Sequence, residues 1–218
     1  MRPGLPPPTL RALGALAVAA LVVGTITPLA AQEASTGPLL LTPPQQEGPY
    51  YPVTIPADDD ADLTLVSGSG SEALGQPLIL RGRLLDATGR PIEGGVVEIW
   101  QTDAFGVYLH PGDPGFDDRD TAFQGFGTSA TDAEGAWAFR TILPELYGSR
   151  PRHIHAKVKV QDETVLTTQI YFSGGDIPAE GSLEASGSEL DALLVEVVAA
   201  TNADGEVILT AEHRLVVP

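Results

Sequence analysis

An all-β fold, a sandwich of mostly antiparallel strands, is what this sequence predicts, and three observations predict it. Strand-length runs with alternating apolar and polar residues recur from residue 50 to the C-terminus. Turn-forming clusters separate them: ATGRPIEGG, TDAEG, QDET and SGGD. No internal repeat is visible that would make a solenoid, and many short strands at this spacing fit two packed sheets. The chain has 218 residues, 43% of them hydrophobic and 19% charged, which suits one domain with a real core.

In chain order, residues 1–31 stand apart from that domain. Arg2 and Arg11 precede an apolar run over 12–26, followed by Pro28 and the small pair Ala30 and Ala31. Fifteen residues are too few to cross a bilayer comfortably, so the segment reads as a cleaved secretory signal and the protein as exported, periplasmic or extracellular. An uncleaved N-terminal anchor is the alternative. Residues 32–46, QEASTGPLLLTPPQQ, read as an extended lead-in, and 47–218 as the folded domain.

Strands are expected at 78–86 (LILRGRLLD), 96–102 (VVEIWQT), 137–143 (WAFRTIL), 153–160 (HIHAKVKV) and 165–172 (VLTTQIYF). The run LLVEVVAA (193–200) could be a short helix, but TNADGE followed by VILTAEHRLVV favours a closing hairpin. Between Thr102 and Trp137 lies a long stretch with scattered aromatics and little strand pattern. Loops of that length in a compact domain are functional or disordered, and Phe105, Tyr108, Phe116, Phe123 and Phe126 argue for a packed functional loop.

The charge balance excludes some partners. Without residues 1–31, which carry Arg2, Arg11 and no acidic residue, 10 basic residues face 29 acidic ones, a net of −19. Such a surface repels phosphate backbones, so nucleic acid is not an expected partner; solubility is the simplest use of the excess acid. No Cys is present, which removes disulfides, thiolate metal sites and lipid-anchored cysteines together.

The chemistry concentrates in YGSRPRHIHAKVKV (147–160). Residues two apart in a strand share a face, so His153 and His155 point one way while Ile154, Ala156, Val158 and Val160 form the opposite, core-facing stripe. Two adjacent imidazoles can converge on one metal ion; alone the pattern fits packed or surface histidines equally well. With no Cys and no carboxylate just upstream, Tyr147 and Tyr108 are the remaining donor candidates, although either could be a core aromatic. A phenol ionises near pH 10, and a hard trivalent ion lowers that value far more than zinc, which prefers N and S donors. Two His with two Tyr therefore imply Fe(III). His110 and His213 fit no constellation and read as surface or structural. Arg152 reads as a surface charge, Trp100 and Trp137 as core.

At this point the sequence resembles the intradiol ring-cleavage dioxygenases, especially the protocatechuate 3,4-dioxygenase core and its short secreted relatives. The elements that carry the resemblance are EGPYYP (47–52), GRLLDATGRPIEGGVVEIWQTDAFGVY (82–108), TDAEGAWAFRTILPELY (131–147), RPRHIH (150–155) and TTQIYF (167–172). It implies that Tyr108 and Tyr147 are tyrosinate ligands of Fe(III) and His153 and His155 its imidazole ligands. It further implies that Arg150 lies over the bound ring, that Gln169 shares the pocket, and that Tyr147 yields to a catechol-type substrate. O2 would then cleave the diol to a cis,cis-muconate-type diacid. A homo-oligomer is compatible with it.

The chain also departs from the family pattern. Only Gly148 and Ser149 separate Tyr147 from Arg150, where cytoplasmic members carry a longer, Trp-containing insert. PELY replaces the usual PGxY, and nothing before Pro43 matches the helical N-terminal domain of catechol 1,2-dioxygenases. Two other readings compete: a non-catalytic transthyretin-like or carboxypeptidase-regulatory-like module, and a zinc site on the same scaffold.

A register expectation follows from burial. His155 shares a face with Gln169 only if the pairing of 153–160 with 165–172 has an even sum of residue numbers. A three-residue turn at Gln161, Asp162 and Glu163 supplies that register and places Leu166, Ile170 and Phe172 on the core face. A two-residue turn would mix the faces.

Overall fold

Alternation along the strands dictates the architecture. In the computed structural model, which describes residues 39–173, 187–201 and 205–218, nine strands form two sheets. They are β1 (Pro77–Asp86), β2 (Val96–Trp100), β3 (Phe126–Ala130), β4 (Ala136–Ile142), β5 (His153–Val160), β6 (Glu163–Phe172), β7 (Leu194–Val195), β8 (Val197–Thr201) and β9 (Val207–Val217). One sheet has the order β4-β1-β9-β8 and the other β3-β2-β5-β6-β7. Most pairs are antiparallel; β1 with β9 and β6 with β7 are parallel. The expected signal and most of the lead-in, residues 1–38, lie outside the described residues. All described residues belong to one unit, Ser35–Pro218. No described helix is long and apolar enough to cross a membrane.

The core forms where the inward faces meet. Leu78, Leu80 and Leu84 of β1, Phe139 of β4 and Leu215 of β9 pack against Val97 and Ile99 of β2, Ile154, Ala156 and Val158 of β5 and Ile170 of β6. Burial of such side chains at about 25 cal/mol per Å2 is the main stabilising term. β1 and β9 approach so closely that a Cβ at Gly82 would lie 1.7 Å from the His213 carbonyl oxygen, so only glycine fits there. The outward face of the five-stranded sheet carries Glu98, Trp100, His153, His155, Lys157, Gln169 and Tyr171, and long loops cover it.

Three expectations need correction, and one is met. The stretch between Thr102 and Trp137 contains a full strand, β3, and a single 3-10 turn (Phe116–Asp118). Its FGTSA sequence has little apolar alternation, and β3 exists because β2 supplies the ladder. The closing hairpin expected from 193–200 forms as read, β8 pairing antiparallel with β9, with β7 before it and α1 (Ser188–Asp191) ahead of both. Part of the expected lead-in is integral to the fold, since Thr42 bonds both ways with Val216 and the Gln45 N–H donates to Thr167 O.

The third correction concerns the β5–β6 turn. It has two residues, Gln161 and Asp162, both left-handed at φ 52° and 65°. A bulge after Val158 then restores the even register, so His155 still faces Gln169 and Ile154 faces Ile170. The extra residue at the bulge, Val165, is left exposed.

Candidate active site

Each side chain at this site is placed by a local device. On β5, His153 and His155 are both 3% exposed, although they lie on the sheet face opposite the core. The His153 Nδ1–H donates to Pro151 O at 2.6 Å, which directs its Nε2 lone pair outward from the sheet. The indole of Trp100, paired with His155 across β2 and β5, stacks on the His155 ring at 4.8 Å and 11°. Gly48, at φ 73°, also lies against that ring; a Cβ there would lie 3.4 Å from His155 Cε1.

Tyr108 arrives from the loop after β2. Two buried aspartates shape that loop: Asp103 Oδ1 accepts the N–H groups of Phe105 and Val107, and Asp113 Oδ2 accepts that of Tyr108 at 3.0 Å. The Tyr108 hydroxyl thereby comes to 2.9 Å from His153 Nε2 and 3.2 Å from His155 Nε2. Tyr147 follows a segment fastened at both ends. Thr102 Oγ1 donates to Glu145 O, while Arg152 donates to Pro144 O at 2.7 Å and ion-pairs with Glu145 at 3.0 Å. Arg152 is thus a half-buried staple and not the surface charge expected. The Tyr147 ring sits edge-on to Tyr108, centroids 5.3 Å apart.

Arg150 Nη2 donates to Gln169 Oε1 at 2.8 Å, and the Tyr171 hydroxyl donates to the same oxygen at 2.9 Å. Gln169 Nε2 in turn donates to Gln46 O at 2.8 Å. Gln169 is therefore spanned on three sides, and the guanidinium is held beside the two histidines.

Electrostatics set the protonation states. Burial, with Arg150 adding to it, holds His153 down at about 4, against the bond to Pro151 O. Burial, then His153 and Arg150, holds His155 well below its ordinary value. Both imidazoles are neutral at pH 7 and offer lone pairs. Burial raises Tyr108 even though the Arg150 charge opposes it, and Tyr147 is pushed up to about 12, first by its hydrogen bond with Tyr50 and then by burial. Without a bound cation both phenols stay protonated.

The structure thus brings Tyr108, Tyr147, Arg150, His153, His155 and Gln169 together. It adds Tyr50, Tyr171 and His110, which sequence reasoning did not place there. Tyr50 stacks on Tyr108 at 5.1 Å and its ring lies 5.5 Å from that of His110. The doublet in EGPYYP was the available signal for Tyr50, and the i+2 relation to Gln169 was the signal for Tyr171. His213, 6% exposed on β9, is structural, and Trp137 lies in the core as expected. Trp100 is buried as expected, but in an aromatic cluster with Tyr108 and Phe126 rather than between the sheets.

A β-sandwich that buries two neutral imidazoles against one phenol defines a candidate metal centre of oxygen and nitrogen donors. Similarity to known proteins agrees with that class. The sequence profile of the family described as Dioxygenase matches residues 46–208. The chain is 35% identical over 158 residues to a protocatechuate 3,4-dioxygenase beta chain from Burkholderia cepacia, covering 66% of this chain and 67% of that one. It is 32% identical over 151 residues to a catechol 1,2-dioxygenase from Acinetobacter lwoffii, covering 61% of this chain and 52% of the relative. Among solved structures, the dioxygenase domain of a dioxygenase carbohydrate-binding fusion from Streptomyces sp. SirexAA-E superposes with a TM-score of 0.59 at 31% identity. That match covers 81% of this chain and 97% of the domain. The chain belongs to the intradiol ring-cleavage dioxygenase family. It spans only about half the length of the catechol dioxygenase it matches.

Proposed function

We propose that this protein is a non-haem Fe(III)-dependent intradiol dioxygenase. It would cleave the bond between the two hydroxyl-bearing carbons of a catechol-type diol and add both atoms of O2, giving a cis,cis-muconate-type diacid. The observation that carries the reading is the convergence of the Tyr108 hydroxyl with His153 Nε2 and His155 Nε2, at 2.9 and 3.2 Å.

The donor set fits the ion. Tyr108, Tyr147, His153 and His155 would hold it. Among the described residues no three His, Asp or Glu side chains could hold a metal, so an ion here takes phenol oxygens, which a hard trivalent cation ionises best. When bound, ferric iron supplies Lewis acidity and draws electron density from the diol, priming the ring for O2.

The chain's own residues do the rest. Neutral His153 and His155, held by Pro151 O and the Trp100 stack, keep their lone pairs aimed without competing for protons. Tyr147, the more exposed of the two phenols, would, once ionised by the bound ion, take a proton from an incoming diol hydroxyl. Arg150, fixed by Gln169, stabilises negative charge that develops on the substrate without reorganising. The aromatic wall of Tyr50, Tyr108 and Trp100 limits water around these groups. A non-catalytic sandwich module has no use for this buried arrangement.

Iron content and a visible spectrum test the reading. Purified protein is expected to bind about one ferric ion per chain and to be red-brown from phenolate-to-iron charge transfer. A colourless protein that keeps full zinc occupancy after iron reconstitution overturns it. Residues 1–31 we read as an export signal, and N-terminal sequencing of exported protein starting within or before them would refute that.

A further inference from the structure

The turn that joins Tyr147 to Arg150 has little to lean on. Gly148 takes φ 59°, and a Cβ there would meet no atom within 4 Å. Ser149 is exposed, and the Arg150 N–H closes the turn by donating to Tyr147 O at 3.1 Å. With no packing under its tip, the turn takes its position from its two ends.

Arg152 joins those ends. Its guanidinium reaches Pro144 O at 2.7 Å and the Glu145 carboxylate at 3.0 Å. Glu145 is in turn laced to the loop that delivers Tyr108. Thr102 Oγ1 donates to its carbonyl at 2.7 Å, and its own N–H donates to Asp103 O at 3.3 Å. Gly106 of the same loop comes so near that a Cβ there would lie 2.5 Å from Leu146 O. On the other side, Arg152 stands between His153 and Pro151, whose carbonyl accepts from His153 Nδ1. One side chain thus ties the backbone of the phenols to the backbone of the imidazoles. Its partners are a carbonyl and a carboxylate, so it acts on the donor atoms through the chain and not by contact.

We propose that Arg152 is a positioning residue for the candidate metal centre: by pairing with Pro144 O and Glu145 it fixes the spacing between the phenol side, Tyr108 and Tyr147, and the imidazole side, His153 and His155. The inference rests on the reading of those four residues as iron ligands. It also gives both departures from the family pattern one physical meaning. Glu145 stands where PELY replaces PGxY and supplies the carboxylate that Arg152 pairs with, and the pair holds a turn that packing does not hold. Ligands already held in one arrangement bind a metal without further ordering. Once the tie is cut, Tyr147 and its turn visit more positions, and the metal must supply the order. Supporting contacts of this kind alter metal affinity by roughly 10- to 100-fold, and a single half-exposed pair belongs at the lower end.

Arg152→Met keeps an apolar stem and removes the charge and the donors. In iron-loaded protein, transfer of iron to excess chelator should be faster than in wild type by about 10-fold. The phenolate-to-iron band should broaden, because Tyr147 samples more positions. Glu145→Gln keeps the bond from Arg152 to Pro144 O and should show a smaller change in the same direction; it carries the test if Arg152→Met does not fold. Arg81→Met, which removes the ion pair with Glu212 between β1 and β9, should match wild type in both readings. Wild-type release and an unbroadened band in both site variants overturn the proposal. An equal acceleration in Arg81→Met also overturns it, since that marks a general loosening of the fold. Wild-type protein that takes up no ferric ion overturns the reading of the ligands itself, and that failure is visible before any variant is compared.

Discussion

At the scale of single residues, the proposed function divides the site into groups that would hold a metal and one that would meet substrate charge, and substitution should separate them. His153→Ala, His155→Ala and Tyr108→Phe each remove a donor atom from the 2.9–3.2 Å cluster, so each should lose iron by metal analysis. Arg150→Ala leaves that cluster intact. It should keep iron and colour but lose turnover by about 100-fold or more, the usual consequence of removing a fixed charge partner from a transition state. Normal turnover in that variant would remove Arg150 from the mechanism. The pairing of His153 and His155 was legible because i and i+2 in a strand share a face, whereas Arg150 was named only through the family resemblance. Tyr50 was not legible, because nothing local relates it to a tyrosine 97 positions away.

At the scale of elements, the β5–β6 hairpin shows how a correct register can rest on a wrong turn. Burial demanded that Leu166 and Ile170 share the core with Ile154 and Val158, and they do. The chain meets the demand with a two-residue left-handed turn and a bulge, because the twist of such a turn suits paired strands better than three loosely placed residues. Gln161 and Asp162 both take positive φ without being glycine, which costs stability. Replacing them together, Gln161→Asn with Asp162→Gly, should raise unfolding free energy by about 1 kcal/mol in chemical denaturation. A loss of stability would show that the Gln161 or Asp162 side chain contributes more than its backbone strain removes. β3 escaped the sequence for the complementary reason: FGTSA has weak intrinsic pattern and becomes a strand through its ladder with β2.

At the scale of the whole molecule, burying histidine makes the metal-free fold sensitive to acid. His213 is pushed down to about 4 by burial, with Arg214 adding a little, and its Nε2 has no partner among the described residues. Unfolded, it would titrate near the ordinary 6.5. Between pH 6.5 and 4 the unfolded chain takes up a proton that the folded chain refuses. Stability therefore falls as pH drops through that window and levels off below it. The shift corresponds to roughly 3 kcal/mol for His213 alone. His213→Leu, which keeps an apolar filling, should flatten the loss of stability between pH 7 and pH 4 measured by denaturant unfolding. An unchanged slope would mean that His213 is not held neutral. The site histidines His153 and His155 are depressed in the same direction and should add to the effect in metal-free protein.

The sequence by itself determined the sandwich class and the core-facing stripe of β5, and it named the candidate donors at the site. These follow from two-residue periodicity and from the absence of Cys, both properties of adjacent residues. Tertiary structure alone decided that the outward face of β5 would be buried as deeply as its core face. It also decided that the segment before Tyr147 would be pinned by Arg152 and that Tyr50 would meet Tyr147. Those outcomes depend on loops closing over the sheet from residues far apart in the chain. No local pattern encodes such a closure, because its free energy comes from contacts that exist only after both sheets have formed.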